Sequence, residues 1–167
     1  MRYELKRLPE MSLESALAKA EHYRDLNQPD EAESICRDVL DIDPAHQMAL
    51  RTLGLALTDR FPHDRHRVFD EAIAAFQKLT SEYERAYYTG IAWERLAKVQ
   101  LEQGETRNAV HAFEKALELF DRAESLGDGK TPDPILRWNR CVRAVKNHPD
   151  LISEQKPRVG TTFQFDD

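Results

Sequence analysis

Apolar residues recur every three to four positions along much of the chain, as in Leu50, Leu53 and Leu57, which is the spacing of an amphipathic α-helix. Prolines and glycines interrupt this pattern and should mark helix ends, because proline inside a helix costs about 3 kcal/mol. Read in this way, the sequence predicts about seven helices joined by short turns. They are 12–26, 30–40, 45–60, 67–80, 82–103, 106–126 and 133–147, with a loop through Phe61, Pro62, His63 and Asp64.

Small and large residues also repeat at a longer interval. Ala20 lies 34 residues before Gly54, and a small residue precedes an alanine by 12 positions in both Ala20–Ala32 and Ala97–Ala109. Small residues let the two helices of a hairpin approach closely, while large residues such as Phe76 fill the space between hairpins. Such hairpins cannot bury their apolar faces alone, so they are expected to stack.

Two segments carry the motif W-x2-L-G or a close variant, namely Trp93-x2-Leu96-Ala97 and Leu50-x2-Leu53-Gly54. The chain therefore resembles the tetratricopeptide repeat family. The resemblance implies an all-α, right-handed solenoid of stacked antiparallel hairpins. The predicted parts are an extension at 1–11, repeats at about 13–46, 47–84 and 85–123, a capping helix at 133–147 within a domain of 12–147, and a tail at 148–167.

The resemblance further implies that the first helices of the repeats line a concave groove in which a partner binds. The matching positions combine apolar and charged residues, which suits an amphipathic peptide or helix. The predicted groove residues are Leu17, Glu21, Arg24, Met48, Arg51, Leu55, Ile91, Glu94, Lys98, Leu101, Asn139, Arg143 and Lys146.

The net charge of −6 argues against general nucleic-acid binding. Charge is unevenly distributed, however, since residues 130–158 carry seven basic residues and three acidic ones. In the capping helix, Arg137, Arg140, Arg143 and Lys146 suit a solvated outer face. The alternative is a docking surface for an acidic partner.

The C-terminal segment contains Phe163, Phe165, Asp166 and Asp167. Its alternating phenylalanines indicate an extended rather than a helical conformation. The segment is either disordered or a short linear motif that binds a partner or occupies the groove of the same or a neighbouring molecule. A homo-oligomer formed through the tail or the groove follows from the second possibility.

Candidate chemistry is sparse. The sequence has no phosphate-binding loop, nucleophile elbow or paired-carboxylate motif, so neither enzymatic activity nor a cofactor is expected. His63 and His66, with the acidic residues beside them, fit a solvated loop better than a metal site. Cys36 and Cys141 occupy packing positions and are expected to be buried, inert thiols. The absence of a secretory signal or a long apolar run favours a cytoplasmic protein without a membrane partner.

These observations predict a non-enzymatic adaptor or scaffold that binds a segment of another protein in its groove. Two alternatives remain open. The chain is similar in length, acidity and repeat number to bacterial type III secretion chaperones, which indicates a secretion or assembly chaperone. It could instead be a regulatory subunit of an enzyme complex that docks through the basic capping helix or the tail.

Overall fold

The computed structural model describes residues 4–154, which form eight α-helices, one 3-10 turn and no strand. The helices are α1 (Leu13–Asp25), α2 (Pro29–Leu40), α3 (Gln47–Asp59), α4 (Phe61–Gln77), α5 (Glu82–Glu102), α6 (Thr106–Leu126), α7 (Asp133–Lys146) and α8 (Pro149–Glu154). Each helix from α1 to α7 packs against the next, and α3 also contacts both α1 and α5. The predicted all-helical solenoid of stacked hairpins is therefore confirmed.

Small residues bring the helices of each hairpin together, as the repeat pattern predicts. Ala20, Ala32, Ala97 and Ala109 are all fully buried. At Gly54 the approach is closer still, because a Cβ atom there would lie 2.6 Å from Cζ of Phe76. The core consequently forms a continuous layer between the hairpins.

The loop predicted after Arg60 is instead the first part of α4. Pro62 lies in the first turn of this helix, where the backbone nitrogen needs no hydrogen bond, so proline starts the helix rather than excluding it. Phe61 is 1% exposed and packs on Phe69 with ring centroids 5.7 Å apart. A non-helical residue, Asp64 (φ −144°, ψ 29°), kinks the helix one turn later.

The ends of two predicted helices have specific backbone geometry. Gly104 has φ +75° after α5, and the amide of Glu105 donates to the carbonyl of Gln100 at 2.8 Å. This is the left-handed C-terminal geometry that glycine favours, and it confirms the predicted end. Ser12, the first residue of the predicted helix 12–26, lies just before α1, and its hydroxyl donates to the carbonyl of Pro9 and does not cap the helix.

An eighth helix lies within the predicted tail, 148–167. Helix α8 packs against α6 and α7, and Leu151 is fully buried. Its six residues are too few to show a helical repeat of apolar positions, so the sequence pattern did not predict it. The tail residues Phe163, Phe165, Asp166 and Asp167 lie outside the described residues.

Candidate functional site

Helices α1, α3, α5 and α7 lie side by side, because α3 contacts α1 and α5, and α5 contacts α7. They form the face on which a groove was predicted, which we call the A-helix face. Several predicted residues are available there: Met48 is 41% exposed, and Arg51, Leu55 and Lys98 are half-buried.

Three predicted groove residues are not on the surface. Leu17 and Ile91 are 1% and 2% exposed, and both belong to the hydrophobic core. They hold neighbouring helices together and cannot contact a partner. Glu94 is also buried, at 0% exposed, but it has a different role because its carboxylate is surrounded by cations.

The carboxylate of Glu94 joins α5 to α7. It accepts a hydrogen bond from Arg137 Nη1 at 3.1 Å, lies 3.5 Å from Arg140 Nε, and is paired with Lys98 of its own helix. A buried carboxylate requires such partners, because removing a charge from water costs far more than an isolated site can recover. We call Glu94, Lys98, Arg137 and Arg140 the Glu94 cluster.

Arg137 and Arg140 were predicted to lie on the solvated outer side of the capping helix. Arg137 is instead turned toward α5, where it contacts Glu94 and is 28% exposed. Arg140 also lies beside Glu94, but it is 62% exposed and remains solvated as predicted. The sequence held one indirect signal, since Trp138 repeats the position of Trp93 and therefore places α7 beside α5 like another first helix. Aligning Trp138 with Trp93 therefore indicates which residues of α7 face α5.

A second charge cluster continues across α1, α3 and α5. Asp59 accepts a hydrogen bond from Arg24 Nε at 2.9 Å and is paired with Arg95. Arg95 also donates to the hydroxyl of Thr58 and to the carbonyl of Leu55. Burial lowers the pKa of Arg95 from its ordinary value, and Asp59 acts in the opposite direction. Arg24 was a predicted groove residue, whereas Asp59 was not.

A pocket of about 390 Å³ lies between the two clusters. Its charged lining consists of four basic residues and two acidic ones, and its apolar wall includes Phe61, Pro62 and Val99. The charged residues are Arg95, Lys98, Arg137, Arg140, Asp59 and Glu102. With Glu94 beneath them they carry a net charge of +1, in a chain whose net charge is −6. We call this the basic pocket.

An aromatic region adjoins the clusters on α5. The Arg51 guanidinium lies 6.0 Å from the centre of the Tyr88 ring, within the range of a cation–π contact. The rings of Tyr87 and Tyr88 meet edge to face at 5.2 Å. Burial raises the pKa of Tyr87, while its hydrogen bond with Arg137 opposes that rise. Neither tyrosine was among the predicted groove residues.

The remaining predicted groove residues vary in exposure. Leu101 and Asn139 are half-buried, and Glu21, Arg143 and Lys146 are exposed. None of the five lines the basic pocket. A partner could reach Arg143 and Lys146 on α7 without entering the pocket.

Both cysteines are fully buried, as predicted. Desolvation raises the pKa of each thiol, Cys36 and Cys141, to about 12. Within residues 4–154 there is no group of three or more histidine, cysteine, aspartate or glutamate side chains placed to bind a metal. Over the same range, no helix combines the length and the apolar character that crossing a membrane requires.

A family model described as tetratricopeptide repeat matches residues 13–46 and 91–121. The first match has the bounds predicted for the first repeat, and the second lies within the range predicted for the third. None of the curated proteins matches the chain. Repeats of this kind indicate a protein–protein interaction module, and the family in general is a non-catalytic scaffold.

Proposed function

Because the chain is a tetratricopeptide repeat protein, we propose that it is a non-catalytic adaptor that holds a segment of a partner protein on its A-helix face. The segment is a peptide or helix that carries acidic side chains. Two unpaired, buried cysteines suit a reducing compartment such as the cytoplasm.

The basic pocket is the observation that supports this function most directly. Lys98 and Arg137 are 30% and 28% exposed in their side chains, and Arg140 is 62% exposed. An arginine offers five N–H donors, so the guanidinium of Arg140 can contact Glu94 and still bind an incoming carboxylate. A local positive charge on an acidic protein favours an acidic segment and repels a basic one.

Glu94 makes these cations a better binding surface than the same residues on a free helix. Each long basic side chain loses conformational entropy when a ligand fixes it, at roughly 0.5–1.5 kcal/mol per side chain. Contacts with Glu94 already restrain Lys98, Arg137 and Arg140 in the unbound protein. A partner therefore meets a preorganised surface.

Affinity capture from extracts of the source cell tests the proposal. The test variant is Lys98→Gln/Arg140→Gln, which removes two cations from the pocket while Arg137 remains to pair with Glu94. The matched control is Lys115→Gln/Arg122→Gln, which removes the same charge from α6, where Arg122 is exposed and the side chain of Lys115 is 41% exposed. Thermal unfolding establishes that both variants remain folded.

We expect a partner that wild type and the control retain and that the pocket variant loses. Retention by the folded pocket variant would contradict the assignment of the site to the pocket. Higher salt should also weaken capture, because exposed charges are screened within about 8 Å at physiological ionic strength.

Docking through the basic capping helix is the second candidate. It is supported by Arg143 and Lys146, which are exposed on α7 outside the pocket. Under that alternative, Arg143→Gln/Lys146→Gln would lose the partner and Lys98→Gln/Arg140→Gln would retain it. The two variants thus separate an adaptor that uses its pocket from a subunit that docks by its cap.

A further inference from the structure

We propose that residues 159–167 of this chain, the acidic segment, occupy the basic pocket of the same molecule. This inference rests on the proposed function, because it assigns a competitor to the same site. The sequence of the segment is Val-Gly-Thr-Thr-Phe-Gln-Phe-Asp-Asp.

The charge of the segment is opposite to that of the pocket. The segment contains Asp166 and Asp167 and no basic residue, so its side chains carry a charge of −2 at neutral pH. The rest of the chain has a net charge of −4 once these two aspartates are set aside, so on average it repels the segment. The basic pocket is locally positive and offers arginine and lysine donors that can pair with two adjacent carboxylates.

The segment also carries two aromatic side chains. Phe163 and Phe165 are two positions apart, so in an extended segment both rings would lie on one face. The apolar side of the basic pocket is formed by Pro62, which is exposed, in front of Phe61 and Val99, which are almost fully buried. Burying an aromatic ring against apolar surface is favourable, because it removes apolar area from water. The pocket thus offers complementary surface to both parts of the segment.

Chain length allows the contact. From Arg140 along α7, the following turn and α8 to Glu154, the path covers at most about 28 Å, at 1.5 Å per helical residue and 3.8 Å per extended Cα step. Asp166 lies 12 residues beyond Glu154, and such a stretch spans about 40 Å when extended. The acidic segment can therefore reach the pocket of its own molecule with length to spare.

Occupation of the basic pocket by the acidic segment would inhibit binding of a partner there. A partner could bind only the fraction of molecules from which the segment has dissociated, so its apparent affinity would fall in proportion to that fraction. A partner with a stronger acidic motif would displace the segment, whereas a weak competitor would not. The segment thereby sets a threshold for binding.

The test uses the full chain and a labelled peptide. The recipient is the variant Phe163→Ala/Asp166→Asn/Asp167→Asn, in which the segment has lost its charge and one ring. The probe is a fluorescent peptide of residues 159–167 whose C-terminal carboxyl is amidated, so that only side chains carry negative charge. The control probe has the same three substitutions. Fluorescence anisotropy reports binding.

We expect saturable binding of the probe to the substituted chain, and at least tenfold weaker apparent binding to wild type, whose own segment competes. Adding Lys98→Gln/Arg140→Gln to the recipient should abolish binding, and Lys115→Gln/Arg122→Gln should not. The control probe should not bind.

Absence of probe binding to the substituted chain would overturn the inference, and so would equal binding to wild type. A wild-type dimer in sedimentation equilibrium that Asp166→Asn/Asp167→Asn dissociates would overturn the intramolecular contact, since the segment would then bind a second copy. The proposed function fails separately, when the pocket variant retains its captured partner, so the two failures are distinguishable.

Discussion

Glu94 of α5 and Arg137 of α7 are joined by a hydrogen bond of 3.1 Å between a fully buried carboxylate oxygen and a guanidinium nitrogen. This contact makes the capping helix part of the site as well as the end of the solenoid. The cap supplies two of the cations that line the basic pocket, Arg137 and Arg140. Under the proposed function, partner binding at the pocket and folding at this end of the molecule are therefore coupled.

Replacing Glu94 with alanine should destabilise the protein by about 3 kcal/mol, because it leaves three cations together without their buried counter-ion. Glu94→Gln should cost less, since the amide oxygen still accepts a hydrogen bond. Urea denaturation measures both, with Glu118→Ala as the exposed control. A change below about 1 kcal/mol for Glu94→Ala would show that the cluster contributes no more than an ordinary surface ion pair.

Gly54→Ala should destabilise the second hairpin by about 1–3 kcal/mol through overpacking, because the new Cβ would lie 2.6 Å from Cζ of Phe76. Adding Phe76→Leu should recover part of that loss, as expected for two residues in direct contact. Gly127→Ala is the matched control, since its Cβ would have no neighbour nearer than 3.4 Å. If the two effects were simply additive, the proposed steric contact would be wrong.

Glu33 should contribute a pH-dependent part of the stability. Its burial raises the pKa, but hydrogen bonds from Arg37 and Arg60 outweigh burial and hold the pKa below its ordinary value of 4.5. A lowered folded-state pKa stabilises the protein above the unfolded pKa, and this stabilisation is lost as the pH falls through the folded pKa. The difference in unfolding free energy between wild type and Glu33→Gln should be largest near neutral pH and should decrease below about pH 4.5. A constant difference would contradict this.

Neither cysteine should react with a thiol reagent in the folded protein at pH 8. Cys36 and Cys141 are fully buried and have pKa values of about 12, and the thiolate is the reactive form. Both should react in denaturant. In native buffer, a thiol should therefore be modified only as fast as the protein unfolds around it. Rapid modification of one thiol before unfolding would show that its surroundings open locally.

The repeat architecture could be predicted from sequence because it depends on short, local spacings. Alanines at 20, 32, 97 and 109 mark the contacts between paired helices, and all four are buried. The start of α4 was missed because a proline such as Pro62 is found both where a helix is interrupted and in the first turn of a helix. Only the burial of Phe61 against Phe69 distinguishes them, and that is a tertiary contact.

The candidate site was only partly predictable for a similar reason. Lys98 and Arg24 were identified from their repeat positions, and both take part in the charge clusters. Glu94 was assigned to the same face, but its burial depends on Arg137 and Arg140, which are more than 40 residues away. A single sequence gives no direct sign that such distant residues meet.

Site-specific photo-crosslinking in the source cell would show directly whether a partner binds the A-helix face. A photoreactive amino acid would replace Met48 or Glu102 on the A-helix face, and Gln77 or Glu114, which are exposed on α4 and α6, as controls. We expect one partner to be crosslinked from positions 48 and 102 and not from 77 or 114. Crosslinking of that partner from 77 and 114 alone would contradict the claim that the A-helix face binds it.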